Sequence, residues 1–338
     1  SGLHILSTPF LSIVIPVYNE YENLPLLYEA LIDSLKKVQQ SWEAILVNDG
    51  SKDGSSDVLK NLAEKDPEHI RVIELRRNFG QTAAIAAGID HALGDIVILM
   101  DADLQNDPHD IPMMLEKINE GYDVVSGWRR KRQDTYISRT LPSHLANALI
   151  SKVTGVYLHD YGCTLKAYRR EVITGFRLYG EMHRFIPVYA DSVGAKILEV
   201  EVNHHPRKFG KAKYGLERTF KVLLDLVTVK FLSSYSNKPI YLFGGMGVGL
   251  IGLGLLLFLF LLIRKIGWAI GVTTSPFFQT ATMLIILGFQ SVLMGLIAEL
   301  QVRTYHESQN KPTYTIRTMY NISHDPFLPN GNNHITQK

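Results

Sequence analysis

The chain has 338 residues, with 35 Lys and Arg against 33 Asp and Glu and a formal charge of +2. This balance gives no general argument for nucleic-acid binding, and the single cysteine, Cys163, excludes a disulfide framework. The mean hydropathy of +0.02 is high for a soluble protein, so the apolar residues must be concentrated somewhere along the chain.

The first part of the chain alternates short apolar runs with segments of helical periodicity. The predicted strands are 11–17, 44–47, 71–75, 95–100 and 123–126, and the predicted helices are 24–38, 55–65, 81–92 and one that opens at Asp110. Strands that are apolar throughout are typical of a parallel sheet buried between helices. The pattern therefore predicts an α/β fold with a mostly parallel sheet, whose ligand lies beyond the carboxyl ends of the strands.

Polar clusters follow three of the predicted strands. They are Tyr18–Glu20, Asn48–Asp53 and Asp101–Gln105. In an extended segment, Asp101, Asp103 and Gln105 would project to one face. Their oxygen atoms favour Mg²⁺ or Mn²⁺, which would neutralise the charge of a departing nucleotide. An Asp-x-Asp sequence also occurs by chance in polar loops, but the placement opposite Glu20 and Asp49 favours a metal site.

Two basic clusters and two amphipathic segments precede the most apolar part of the chain. Arg129–Arg139 contains five basic residues and one acid, and Arg207–Lys221 contains six basic residues and one acid. Such clusters suit an anionic membrane surface and a lipid phosphate. Leu216–Tyr235 and, more weakly, Leu145–Val156 have apolar residues at helical spacing, which predicts interfacial helices, with ordinary core helices as the alternative.

Two uncharged runs are long enough to cross a bilayer, which needs roughly 20 residues in a helix. Ile240–Ile263 has 24 residues and Pro276–Ala298 has 23, and a turn is predicted between them at Arg264–Trp268. The alternative is a buried helical hairpin in a soluble core. Gly245 and Gly249 have the Gly-x-x-x-Gly spacing that allows close helix packing.

The charges that flank the two runs predict their orientation. Six basic residues lie outside the pair and two lie in the connecting loop, which places both termini and the domain before the runs on the cytoplasmic side. The six are Lys221, Lys230, Lys238, Arg303, Lys311 and Arg317. From Tyr320 onward the chain is polar, and we expect a disordered tail.

Four motifs in order carry a resemblance to a known family. They are Ile15–Glu20, Val47–Asp53, Arg77–Gly80 and Asp101–Gln105. They resemble the family 2 glycosyltransferases of GT-A fold and, within them, the polyprenyl-phosphate glycosyltransferases, which include dolichol-phosphate mannose synthases and bactoprenol glucosyltransferases. The resemblance covers roughly residues 10–300, since the two C-terminal spans match the bactoprenol branch. It implies a Rossmann-like GT-A domain followed by interfacial helices and two transmembrane helices.

The resemblance also implies roles for individual residues. The base and ribose of a nucleotide sugar would be lined by Pro16, Tyr18, Glu20, Val47 and Asp49. Asp101 and Ala102 would contact the ribose and the sugar, and Asp101 would also be close to the metal. Asp103 and Gln105 would hold that metal on the diphosphate.

The basic residues have implied roles toward the two phosphate groups. Arg129 would contact the donor phosphates, and Arg139 would face the acceptor phosphate. Arg207 and Lys213 would belong to a loop that closes over the donor. Gly162–Tyr168 matches a family pattern only loosely, with departures at Thr164 and Lys166, and no role is assigned there.

The predicted reaction is the metal-dependent, inverting transfer of a sugar to an undecaprenyl-type phosphate at the cytoplasmic membrane. Resemblance favours UDP-glucose as the donor and a homo-oligomer, specifically a tetramer. GDP-mannose, a modified arabinose donor and a processive polysaccharide synthase remain alternatives. A dinucleotide oxidoreductase is disfavoured because the Gly-x-Gly-x-x-Gly at Gly247–Gly252 lies inside a span. A channel subunit is disfavoured because the spans contain no charge, and no nucleic-acid-reading element is evident.

The predicted domain organisation follows from these segments. It comprises a transferase domain at 1–215 with an interfacial helix at about 143–157, a juxtamembrane amphipathic helix at 216–237, a two-helix membrane domain at 238–300 and a cytoplasmic tail at 301–338.

Overall fold

The computed structural model describes residues 9–130, 141–174, 178, 182–206, 240–268, 275–308 and 313–322. The chain forms two compact units, one of Ser1–Val229 with Lys311–Lys338 and the other of Lys230–Asn310. Three predicted site residues, Arg139, Arg207 and Lys213, lie outside the described residues, as does the amphipathic helix predicted at 216–237.

The first unit contains one sheet of eight strands in the order β7-β5-β6-β4-β1-β2-β3-β8. The strands are β1 Leu11–Val17, β2 Trp42–Asn48, β3 Ile70–Leu75, β4 Ile96–Leu99, β5 Val124–Trp128, β6 Lys166–Arg169, β7 Ile197–Glu201 and β8 Ile316–Tyr320. β1 pairs in parallel with β2 and β4, β2 with β3, and β5 with β7. β6 and β8 are antiparallel to their neighbours. The predicted mostly parallel α/β sheet is therefore confirmed.

In the described part of the first unit, seven helices accompany the sheet. They are α1 Leu24–Leu35, α2 Ser55–Lys65, α3 Gln81–His91, α4 Ile111–Asn119, α5 Leu141–Thr154, α6 Arg170–Ile173 and α7 Ile186–Ser192. Short 3₁₀ turns at Pro108–Asp110 and Met182–Phe185 precede α4 and α7. All residues of β1 except Pro16 are buried, because helices cover both faces of the central strands.

Helix α3 lies unusually close to the sheet because its residues are small. A Cβ added at Gly88 would collide with Cγ1 of Val14 on β1. Ala84 and Ala87 of the same helix are fully buried. The close approach brings the N-terminus of α3 to the carboxyl ends of the central strands, where the polar clusters lie.

The C-terminal segment adds β8 to the edge of the sheet beside β3, where the sequence predicts only a tail. The Arg76 N–H donates to the Thr315 carbonyl at 2.9 Å, and the Asn321 side-chain amide donates to the carbonyls of Ala63 and Ile70 at 2.8 and 2.9 Å. Tyr320 and Asn321, where disorder is expected, are thus tied to the sheet. A five-residue strand without an apolar run has no recognisable periodicity, and covering an open edge is a tertiary event.

The described residues of the second unit form two helices, α8 Ile240–Trp268 and α9 Pro276–Ser308. Within the described residues both are long and apolar enough to cross a membrane. The turn predicted at Arg264–Trp268 is wrong, because α8 continues through it. A cation such as Lys265 is favourable in the last turn of a helix, where the dipole is negative.

The glycines that allow α8 and α9 to approach differ from those predicted. A Cβ at Gly247 would lie 2.5 Å from the Gly288 carbonyl oxygen, and one at Gly254 would lie 2.9 Å from the Ala281 carbonyl oxygen. By contrast, a Cβ at Gly245 or Gly249 would meet nothing within 4 Å. The helix contact therefore uses a spacing of seven residues, not the predicted Gly-x-x-x-Gly pair.

Candidate active site

The site lies at the carboxyl ends of β1, β2 and β4. After β3 the chain returns to the opposite side of β1 to form β4, so the order of strands reverses next to β1. Such reversals open the crevice in which ligands of α/β sheets bind. The polar clusters after β1, β2 and β4 lie at this crevice.

Asp49, at the end of β2, holds the loop between β3 and α3. Its two carboxylate oxygens accept the backbone N–H groups of Phe79 and Gly80 at 2.7 and 2.9 Å. The residue is 3% exposed, and burial raises the pKa of its carboxyl although the two N–H groups oppose the rise. Gly50 follows in a left-handed conformation, and a Cβ there would lie 2.6 Å from the Arg77 carbonyl carbon. These contacts fix the two loops against each other.

The other residues predicted around the nucleoside lie on β1, on β2 and in the loop between β1 and α1. Pro16 and Val47 are register partners in the two strands. Tyr18 lines a cavity of about 410 Å³ at the strand ends. The Glu20 carboxylate accepts the Asn23 side-chain amide at 2.6 Å, at the start of α1.

Asp101 is held by two side chains from different elements. The Gln81 amide, in the first turn of α3, donates to Oδ1 at 2.7 Å, and the Thr164 hydroxyl donates to Oδ2 at 2.7 Å. Removal from water and the neighbouring Asp103 carboxylate raise the pKa of Asp101 to about 6. Asp101 is therefore fixed in position and easier to protonate than an ordinary carboxylate.

The segment after Asp101 is bent and not extended, which differs from the sequence-based argument. Leu104 has a positive φ of 60° and is buried, which turns the chain so that the Gln105 N–H donates to Asp103 Oδ1 at 3.2 Å. A left-handed leucine is strained, and such strain is common at functional sites. Asp103 is 8% exposed. Ala102, which separates the two aspartates in the sequence, is also buried.

The side chains after β4 would hold a divalent cation only if a bound substrate supplied further oxygen atoms. Within the described ranges no group of three or more His, Cys, Asp or Glu side chains is arranged to hold a metal ion. Asp101, Asp103 and the Gln105 amide supply three side chains with oxygen atoms, and the Gln105 Nε2 lies 3.5 Å from the His204 Nε2. Mg²⁺ commonly binds to one or two carboxylates and to the phosphates of its substrate. The residues present suit that kind of site.

Arg129, which follows β5, forms a bidentate ion pair with Asp160. Its Nε and Nη2 donate to the two Asp160 oxygens at 2.8 and 3.0 Å, and Asp160 is 1% exposed. Burial alone would lower the pKa of Arg129, but the Asp160 carboxylate outweighs it, and the pKa lies above its ordinary value. Arg129 is thus a permanent, immobilised cation.

A second cation lies near the first. A Cβ at Gly162 would lie 3.2 Å from Arg129 Nη2 and 4.0 Å from Arg184 Nη1. Both arginines also oppose the rise in the pKa of Asp101. The neighbouring His183 is hydrogen-bonded through Nδ1 to the buried Thr82 hydroxyl at 2.7 Å. Positive charge is therefore concentrated beside the Asp101 carboxylate.

The segment 160–166, a loop that leads into β6, positions two predicted site residues and is missed by the sequence argument. Asp160 binds Arg129, and Thr164 binds Asp101. The buried Lys166 ammonium donates to the carbonyls of Tyr161 and Cys163, and burial lowers its pKa. The signal was the loose family match at 162–168, whose departures fall on Thr164 and Lys166.

Comparison with known proteins decides the family. A family model described as glycosyl transferase family 2 matches residues 12–176. The chain is 41% identical to the dodecaprenyl-phosphate galacturonate synthase of Rhizobium johnstonii, over 92% of this chain and 93% of that protein. The chain belongs to glycosyl transferase family 2.

A second relative belongs to the same branch. The undecaprenyl-phosphate 4-deoxy-4-formamido-L-arabinose transferase of Proteus mirabilis is 39% identical, over 92% of this chain and 94% of that protein. Both relatives are polyprenyl-phosphate glycosyltransferases, so the resemblance drawn from the four motifs is confirmed, and this family 2 member is a glycosyltransferase.

Among solved structures, glucosyl-3-phosphoglycerate synthase of Mycobacterium tuberculosis in complex with Mn²⁺, UDP and phosphoglyceric acid is similar with a TM-score of 0.49. The two chains are 18% identical, and the match covers 67% of this chain and 78% of that one.

Proposed function

We propose that this protein transfers a sugar from a nucleotide donor to a polyprenyl phosphate at the cytoplasmic face of a membrane. The observation that carries the proposal is the similarity to two polyprenyl-phosphate glycosyltransferases over 92% of the chain, since it includes the transferase unit and both apolar helices. The fixed carboxylates and cations at the crevice supply the groups that the reaction needs.

The proposed sugar is a uronic acid or a modified pentose, and not the glucose that the sequence motifs favour. One relative is named for galacturonate and the other for 4-deoxy-4-formamido-L-arabinose. Neither sugar is an unmodified hexose. Because a shared fold accommodates different sugars through a few pocket contacts, the relatives are a better guide to the donor than the motifs are.

The acceptor phosphate needs no strong general base in this proposal. A phosphate monoester has a second pKa of about 6 and is mostly dianionic at neutral pH. Its oxygen attacks the anomeric carbon as the bond to the nucleoside diphosphate breaks, and a single displacement inverts the anomeric configuration. The enzyme contributes positioning and charge stabilisation.

Different residues would bind the donor diphosphate and the acceptor phosphate. Asp103, with Gln105 and Asp101, would hold Mg²⁺ or Mn²⁺, which supplies positive charge to the departing diphosphate. Arg129 is a fixed cation for phosphate oxygens, and it does not need to be recruited during the reaction. Arg139, Arg207 and Lys213 keep the roles implied by resemblance as part of the proposal.

The proposed membrane arrangement has two spans with the transferase unit and both termini in the cytoplasm. It rests on the two long apolar helices and on the excess of basic residues outside the pair. A homo-oligomer, with a tetramer as the form implied by resemblance, is part of the same proposal.

The test is a transfer assay with the purified full-length protein, undecaprenyl phosphate, Mg²⁺ or Mn²⁺ and a panel of radiolabelled nucleotide sugars. We expect label in the lipid fraction with UDP-galacturonic acid or UDP-4-deoxy-4-formamido-L-arabinose, and much less with UDP-glucose or GDP-mannose. Preferred transfer of glucose would overturn the donor proposal. No lipid-linked product with any donor would overturn the function itself.

A further inference from the structure

The cavity beside Tyr18 has a wall that comes from the far end of the chain. It opens at the carboxyl ends of β1, β2 and β3, and its volume of about 410 Å³ is in the range of small-molecule pockets. Most of its lining belongs to the loops after these three strands. Arg317, however, belongs to β8, which follows both apolar helices in the sequence.

The cavity is rich in positive charge. Lys52, Arg76, Arg77 and Arg317 all line it, and all four are exposed. In the part of the chain that the structure describes, none of the four forms an ion pair. Lys and Arg side chains carry only hydrogen-bond donors. The cavity therefore suits an anionic ligand that is rich in acceptor oxygens, such as a nucleotide, whose base carbonyls, ribose hydroxyls and phosphates all accept hydrogen bonds.

Arg317 is held at the cavity from two directions. The backbone next to β8 is fixed to the loop between β3 and α3, because the Arg76 N–H donates to the Thr315 carbonyl at 2.9 Å. The Arg317 side chain donates from Nη2 to the Arg76 carbonyl at 3.1 Å. The same loop is held by Asp49, which accepts the N–H groups of Phe79 and Gly80. The Arg317 guanidinium is therefore a fixed part of the cavity lining.

The cavity is also connected to the carboxylates by a short stretch of chain. Gly80 donates its N–H to Asp49, and the next residue, Gln81, donates its side-chain amide to Asp101 at 2.7 Å. Neighbouring residues are about 3.8 Å apart along the chain. Asn78, which lines the cavity, precedes Gln81 by three residues, so their Cα atoms are at most about 11 Å apart. A ligand as long as a nucleotide sugar can bridge that distance toward Asp101.

We propose that Arg317 is a donor-binding residue that closes the nucleoside end of the site, an inference that rests on the proposed nucleotide-sugar transfer. The nucleoside occupies the cavity, and its diphosphate points toward the carboxylates after β4. The segment that returns from the membrane thus completes the substrate site of the transferase unit.

The test is the affinity of the full-length protein for UDP with Mg²⁺, measured by calorimetry in detergent micelles. Hydrogen bonds from a charged group are worth about 1.5–3 kcal/mol, so Arg317→Ala should weaken UDP binding roughly 10- to 100-fold, and Arg317→Lys should restore part of the loss. Thr318→Ala is the matched control, because the next side chain of a strand points to the opposite face. It should bind UDP like the wild type.

Three results would overturn the inference. UDP affinity of Arg317→Ala equal to that of the control would mean that Arg317 does not contact the donor. A melting temperature of the ligand-free Arg317→Ala protein far below that of Thr318→Ala would mean that the residue only supports the sheet edge. An equal loss for UDP and for inorganic pyrophosphate would move the contact from the nucleoside to the phosphates.

The proposed function has a separate outcome in the same experiment. If the wild-type protein binds neither UDP nor GDP, the nucleotide-sugar donor itself is in doubt. If the wild type binds UDP and Arg317→Ala binds it equally, only the role of Arg317 fails.

Discussion

At the scale of single residues, the site depends on side chains that are fixed by neighbours before any ligand arrives. Asp101 is bound by Gln81 and Thr164, and Arg129 is bound by Asp160. Groups held in place do not have to be reorganised during the reaction, which is how an enzyme stabilises developing charge efficiently.

Asp103→Asn should reduce sugar transfer by about 100-fold or more, since the proposed metal would lose an anionic ligand and the leaving diphosphate its charge compensation. The measurement is transfer rate against Mg²⁺ concentration. Asp57→Asn, at an exposed position in the first turn of α2, is the control and should keep the wild-type rate. Full activity of Asp103→Asn at low Mg²⁺ would remove Asp103 from the site.

Thr164 is predicted to act as a positioning residue for Asp101. Thr164→Val keeps the side-chain volume but removes the donated hydrogen bond, and we expect kcat/KM to fall roughly tenfold, as for the loss of about 1.4 kcal/mol. Thr164→Ser retains the hydroxyl and should recover most of the activity. If Val and Ser variants were equally impaired, packing and not the hydrogen bond would explain the effect.

Lys166 gives a prediction about pH. Burial lowers its pKa in the folded protein, so above that folded-state pKa the unfolded chain binds more protons at this residue. The contribution of Lys166 to stability therefore increases with pH until the unfolded pKa near 10.4 is reached. The melting temperature of the wild type minus that of Lys166→Met should therefore increase from pH 7 to pH 10. A difference that is constant with pH would contradict this.

At the scale of elements, small residues decide how closely helices approach their partners. Gly88 lets α3 lie against β1, and this approach delivers Gln81 to Asp101. Gly247 and Gly254 perform the same role between α8 and α9. The sequence predicted a helix at 81–92 without its close approach to β1, and it assigned the packing of the two apolar helices to a different pair of glycines.

Gly247→Leu should destabilise the pair of apolar helices, because the added side chain would meet the Gly288 backbone. Gly249→Leu is the matched control, since a Cβ there meets nothing within 4 Å in this chain. The melting temperatures of the two variants in detergent micelles test the packing. Equal melting temperatures would contradict the helix contact described here.

At the scale of the whole molecule, the transferase unit is not continuous in sequence. Ser1–Val229 and Lys311–Lys338 form one unit, and the two apolar helices are inserted between them. The edge strand β8 is therefore supplied by chain that has already passed through the helical unit. An open edge beside β3 would leave backbone donors and acceptors without partners.

This arrangement predicts different behaviour for two shortened proteins. A chain that ends at residue 229 lacks β8 and should unfold at lower temperature and bind UDP more weakly. A chain in which residues 230–310 are replaced by a flexible linker of about 20 residues keeps β8 and should be the more stable of the two. Equal stability and affinity of the two proteins would show that β8 does not complete the unit.

The sequence by itself determined the α/β class, the five apolar strands, the two long apolar helices and the family, because apolar periodicity and the motifs at strand ends are local properties. The motifs also pointed to Asp101, Asp103 and Arg129, whose roles in transfer stay predictions. The sequence did not yield the partners Asp160 and Thr164, which lie in the loop before β6.

Only the tertiary structure decided that Asp49 clamps a loop, that Leu104 bends the Asp101–Gln105 segment, and that β8 brings Arg317 to the cavity. Each depends on contacts between residues far apart in sequence. Asp49 meets Gly80 and Arg317 meets Arg76 across the fold. Hydrogen bonds of this kind leave no periodic trace in the chain, since their geometry exists only after the sheet has formed.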